Sequence, residues 1–140
     1  MTDHDPGSRT WLAQVQEKIL DPEREIVDPH HHLWGGGRWF EYLLEDLWTD
    51  TGSGHNVKKT VFVQCRSNYR TEGPEHLKPV GETEFVAKIA AESQLGPQNQ
   101  ARIAGIVSHA NLTLGDQVEE ILDAHEEAGR GLFRGIRHAG

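Results

Sequence analysis

The stretch Val27-Asp28-Pro29-His30-His31-His32-Leu33-Trp34 places two imidazoles two residues apart, with a carboxylate two residues before the first. On a β-strand, residues at i and i+2 share a face, so regular alternation predicts Asp28, His30 and His32 on one side. Two neutral imidazoles held in this way can chelate one divalent metal ion, and zinc suits nitrogen donors. A tag remnant or a hydrogen-bonded structural cluster gives the same letters, but the run is short, internal and strand-embedded, which favours ligation by His30 and His32. His31 faces the other way and is expected to pack or to support a ligand. Asp28 either orients the site or is held by backbone amides. Gly35-Gly36-Gly37 ends the strand, so the pair falls at its carboxyl end, where α/β folds place their chemistry.

Further candidates gather at later strand ends. Arg66 and Arg137 carry guanidinium forks that can clamp a carboxylate or a lactone oxygen; surface ion pairing is the alternative for each. Arg134 faces away from Arg137 and is expected to pair with a helix carboxylate. Gln64 interrupts an apolar strand and is either a substrate hydrogen bonder or a satisfied core amide. His138 and His109 are strand-end histidines with the same two readings, substrate contact or half-exposed surface. Cys65, inside an apolar pattern, reads as a buried structural thiol. His4, His55, His76 and His125 read as solvated.

Hydrophobic periodicity supplies the elements that must position these groups. Trp11, Val15 and Ile19 predict a helix over 10–20, stopped by Asp21-Pro22. Strands are predicted over 25–32, 59–66, 102–109 and 131–138. The second is apolar on both faces, as a buried parallel strand is. Helices are predicted over 39–48, 82–93 and 116–128, the last with an Asp116/Glu119 capping box and Gly129 as its C-cap. A polar loop spans 67–79. Alternating strands and helices imply an α/β parallel sheet. Strands recurring about every 35 residues project to the 250–300 residues usual for eight such units; the chain is the length of four.

One domain is expected for 140 residues of which 36% are hydrophobic. A net charge of −8 argues against nucleic acid and anionic membranes. No apolar run approaches a membrane span, and residues 1–9 lack the apolar core of a secretory signal. The single cysteine excludes an intrachain disulfide and fits a reducing, cytoplasmic setting.

Three segments, VDPHHHLW, HNVKKTVFVQ and LFRGIRH, resemble the amidohydrolase superfamily, in particular the amidohydrolase-related group of lactone hydrolases that includes L-fuconolactonase and pyrone-dicarboxylate lactonase. The resemblance covers residues 25–140, after a tail and helix over 1–24. It implies the amino-terminal half, four βα units, of a TIM (β/α)8 barrel. It further implies a divalent metal, zinc in many members, on His30 and His32, and a small-molecule lactone or related cyclic ester as substrate. Gln64, Arg66, Arg137 and His138 are then the substrate-binding candidates. The general base of the group comes from the second half, so no residue here takes that role. A decarboxylase of the same superfamily is a close variant, and a truncated, non-catalytic half-barrel is the reading from another class. Metal-dependent phosphoesterases also open with Asp-x-His-x-His, but they gather further ligands early, and no second cluster precedes residue 109. A half-barrel leaves its first and fourth strand edges unpaired, which predicts self-association.

Overall fold

The computed structural model describes residues 5–36 and 40–139. Four strands form one parallel sheet in the order β1-β2-β3-β4: β1 Glu25–His31, β2 Asn56–Val63, β3 Arg102–His109 and β4 Phe133–Arg137. The connections carry α2 (Leu44–Thr51), α3 (Val80–Leu95) and α4 (Val118–Gly129), so the chain is an α/β fold with neighbouring strands consecutive in sequence.

The core lies between helices and sheet. Phe62, Ile103 and Ile106 project from β2 and β3 and meet Val86, Ala87 and Ala90 of α3, together with Leu44, Leu47 and Trp48 of α2. The Trp48 indole N–H donates to the Ala101 carbonyl at 2.9 Å, which satisfies its one polar atom inside apolar surroundings. Gly105 faces the other side of the sheet. A Cβ there would lie 3.2 Å from the Arg134 Cγ and 3.5 Å from a Val61 methyl, so the small residue makes room for the arginine stem.

Several boundaries differ from the sequence expectation. The helix expected over 10–20 shrinks to α1, Arg9–Leu12, with Trp11, Leu12 and Val15 exposed. Trp11 and Val15 of its apolar stripe lie exposed while Ile19 is half-buried beside Gly54, and short isolated helices are marginal. The helix expected over 39–48 starts at Leu44 because Trp34 and Tyr42 exchange backbone hydrogen bonds as an antiparallel bridge, and the Leu43 N–H donates to the Asp46 carboxylate. Trp39 lies outside the described residues. Strand β2 runs three residues earlier than expected, so Gln64, Cys65 and Arg66 follow it rather than end it.

The Asp116/Glu119 capping box does not form. A 3-10 segment, Leu112–Gln117, precedes α4, whose N-cap Gln117 makes no side-chain cap bond. Gly129 is the last helical residue, and the left-handed turn after it falls on Arg130 (φ 49°) and Gly131 (φ 85°).

Candidate functional site

Strand β1 bulges where its proline falls. Asp28 pairs with Thr60 and His31 with Phe62, so a three-residue step on β1 spans a two-residue step on β2. Proline has no N–H for the ladder and is accommodated at edges and bulges, which is where Pro29 stands. The bulge changes the facing derived from strict alternation. Asp28 now shares the helix-facing side with His31, and its Oδ1 accepts the His30 backbone N–H at 3.0 Å. Asp28 is therefore held as a local backbone acceptor, while it borders the same hollow as His30, His31 and His32.

His30 and His32 do converge. Their Nε2 atoms are 3.2 Å apart, with the rings edge to face at a centroid distance of 4.8 Å. The His32 Nδ1–H donates to the Val63 carbonyl at 2.7 Å; since a carbonyl only accepts, the neutral ring carries its proton on Nδ1 and leaves the Nε2 lone pair free. Two nitrogen lone pairs so close repel unless a proton or a cation lies between them. A tetrahedral zinc with bonds of about 2.0–2.1 Å would set its nitrogens roughly 3.3 Å apart, so the pair fits such an ion. A backbone acceptor fixing the far nitrogen is also the usual support of a ligating imidazole. Among the described residues no group of three or more His, Cys, Asp or Glu side chains is placed to hold a metal, so the site offers two donors.

His31 is buried edge to face on Phe62, and neither ring nitrogen has a hydrogen-bond partner among the described residues. Desolvation lowers its pKa to about 4, so the ring is neutral at pH 7.

All four substrate-binding candidates line a single cleft of about 360 Å³ at the exits of β2, β3 and β4. Gln64, Arg66, Arg137 and His138 share its wall with His109 and Asn111. The Arg137 guanidinium donates from Nε to the Gln64 side-chain oxygen at 3.1 Å, and from Nη2 to the Gln64 backbone carbonyl. The Gln64 amide in turn donates to the Tyr69 hydroxyl at 2.9 Å. The histidine pair and the arginine thus rest on consecutive carbonyls, Val63 and Gln64. His109 donates from Nδ1 to the Arg137 carbonyl at 3.1 Å, and His138 accepts the Leu112 N–H on Nδ1 at 3.2 Å; their rings meet edge to face. Burial first, with the nearby His138 ring and the Arg66 and Arg137 guanidinium groups adding to it, pushes the His109 pKa down against the bond to the Arg137 carbonyl. Arg66 has a positive φ of 65° and no ion pair among the described residues.

Among the described residues Arg134 pairs with no helix carboxylate. Its guanidinium donates to the carbonyls of Gly131 and Phe133 at 2.8 and 2.9 Å. Cys65 is half-buried, its thiol on the Leu33 carbonyl and the Glu82 carboxylate; burial first, then Glu82, pushes its pKa to about 12, which denies it nucleophilic character.

Two residues overturn or escape the sequence reading. His125, expected in solvent, is fully buried. It donates from Nε2 to the His109 carbonyl at 2.8 Å and accepts the Thr83 hydroxyl on Nδ1 at 2.8 Å, while Thr83 meets Ser108 at 2.6 Å. This chain ties α4 and α3 to the exit of β3. Of the other three, His55 is exposed, His76 is half-buried on Glu120 at 3.0 Å, and His4 lies outside the described residues. Glu82 was not singled out, yet it is buried at the start of α3, and one carboxylate oxygen accepts the N–H groups of Cys65 and Ser67. Its signal was faint: one acidic letter where helix starts commonly carry one.

The class these features define is an α/β protein with its polar groups collected at the carboxyl ends of parallel strands. No family model, no curated protein and no solved structure matches the chain.

Proposed function

We propose that the chain is the metal-binding, amino-terminal half of a (β/α)8 hydrolase of the amidohydrolase kind, acting on a lactone or related cyclic ester. The observation that carries this reading is the 3.2 Å approach of the His30 and His32 Nε2 atoms, with His32 fixed by the Val63 carbonyl. A divalent ion, zinc by its preference for nitrogen donors, would be held by these two rings and would supply Lewis acidity and a water of lowered pKa. The protein's own part is to hold the two imidazoles in one tautomeric arrangement and to present the Arg137 fork, braced by Gln64, to a carboxylate or ester oxygen. The general base is to come from outside these four strands. The same pair would serve a decarboxylase of the superfamily.

One observation favours a second, non-catalytic reading. Only two metal donors converge among the described residues, and catalytic zinc sites take three protein ligands. Calorimetric titration of the metal-free chain with zinc, alongside His30→Ala and His32→Ala, tests the shared premise. One zinc per chain is expected, weakened at least tenfold in either variant; unchanged stoichiometry and affinity in the double variant would sink both readings. The zinc-loaded chain alone is expected to turn over little or no lactone, because the general base lies outside these strands. Turnover that appears when further βα units are supplied, and is lost with His30→Ala, favours the enzyme, and zinc binding with no turnover even then favours the binding half.

A further inference from the structure

Between Cys65 and Ser67 the backbone turns through the left-handed region. Arg66 has φ 65° and Asn68 has φ 54°; asparagine tolerates this region, whereas an arginine needs its surroundings to hold it there. The turn folds around a buried carboxylate. Oε1 of Glu82 accepts the Ser67 N–H at 2.6 Å and the Cys65 N–H at 3.1 Å, and the Cys65 thiol lies 3.6 Å away. Glu82 is only 2% exposed. A carboxylate withdrawn from water requires compensation from donors, and two backbone N–H groups flanking one residue supply it as charge-assisted bonds. The residue between those two amides is Arg66. Its side chain borders the 360 Å³ cleft and also a neighbouring hollow lined by Tyr69, His76, Lys78 and Asn111.

We propose that Glu82 is the positioning residue of the basic cleft: by gathering the amides on either side of Arg66 it fixes the left-handed turn that presents the Arg66 guanidinium to an anionic ligand. The ligand class is a carboxylate or comparable oxyanion, and the proposal rests on the reading of the cleft given above. Arg137 donates its hydrogen bonds to Gln64 and not to the turn, although the Glu82 carboxylate also attracts it. Glu82 touches the fold and not the ligand, and its geometric effect passes through Arg66.

The test is a sulfate titration of the full chain followed by NMR at the amide of residue 67 and the Arg66 Nε–H, with Arg66→Gln, Glu82→Ala and Glu82→Gln beside the wild type. Saturable shifts are expected for the wild type, weakened at least fivefold in Arg66→Gln and in Glu82→Ala. Glu82→Gln keeps an oxygen that can accept both amides and should stay within about twofold of wild type. Zinc affinity at His30 and His32 should be unchanged throughout, which a general loss of structure would not allow. Wild-type affinity in a folded Glu82→Ala overturns the proposal, as does Glu82→Gln failing as badly as Glu82→Ala. If the wild type binds no sulfate, the cleft reading itself falls. Should Glu82→Ala not fold, hydrogen exchange of the wild type decides, because rapid exchange at the Cys65 and Ser67 amides would show that no clamp exists.

Discussion

The two faces of the sheet are built for different tasks. Toward the helices, Phe62, Ile103 and Ile106 are fully buried against α3 and α2, and the Ser108 hydroxyl meets Thr83 in that layer. On the other face Val27 is 57% exposed, Val61 and Val107 are half-buried, and Gly105 lies beside the stem of Arg134. Parallel sheets are ordinarily covered on both sides, and here the described residues cover one. The imidazole pair and the basic cleft lie at the strand exits, at the rim of this contrast. Stability and chemistry are therefore separable by substitution, and the separation can be attacked experimentally.

The largest effect belongs to the covered face. Phe62→Ala should lower unfolding free energy by about 3–5 kcal/mol, from lost burial plus the cavity left behind, as read from urea denaturation. A loss below about 1 kcal/mol would mean that the helix layer closes over the gap and that the two faces are less unlike than their burial says.

Next in size is a pH effect from the same face. Burial holds His31 at about 4 against an ordinary 6.5, and it lowers His125 as well. The folded state thus favours neutral rings, and the unfolded chain takes up protons first as pH falls. This contribution is complete above pH 6.5, declines from there toward pH 4, and for His31 amounts to about 3 kcal/mol. In metal-free buffer, denaturation midpoints should fall steadily over that window. His31→Phe should flatten the decline without loss at pH 7, because neither ring nitrogen has a partner to lose. An undiminished slope in that variant would reassign the effect to His125 and His109.

How far the sequence revealed this arrangement depended on whether the cause was local. Strand β3 was legible to the residue, because Arg102–His109 carries its own β-branched pattern between polar ends. The histidine pair was legible because spacing alone brings its rings together. The facing of Asp28 was not: it depends on a bulge at Pro29, where a missing N–H overrode strict alternation. The apolar stripe of Trp11, Val15 and Ile19 suggested a long helix, but a stripe needs a continuous surface, and here Ile19 is half-buried beside Gly54 while Trp11 and Val15 stay exposed. His125 looked solvated because its position read as a helix surface; its partners Thr83 and the His109 carbonyl come from 42 and 16 residues away. Glu82 escaped for the same reason, since its worth lies in two amides of a preceding loop.

The smallest effect is the most direct probe of the open face. Val27 projects from edge strand β1 and is more than half exposed, so Val27→Ala removes little buried surface and should change unfolding free energy by less than about 0.5 kcal/mol. The same value should hold across protein concentrations if the face is bare. A cost above about 1 kcal/mol that grows with concentration would mean that the edges of β1 and β4 pair with another copy, since association stabilises the folded state by mass action. In that case the contrast between the faces belongs to the separated chain, and the imidazole pair would lie beside a neighbour's strand able to bring further donors to it.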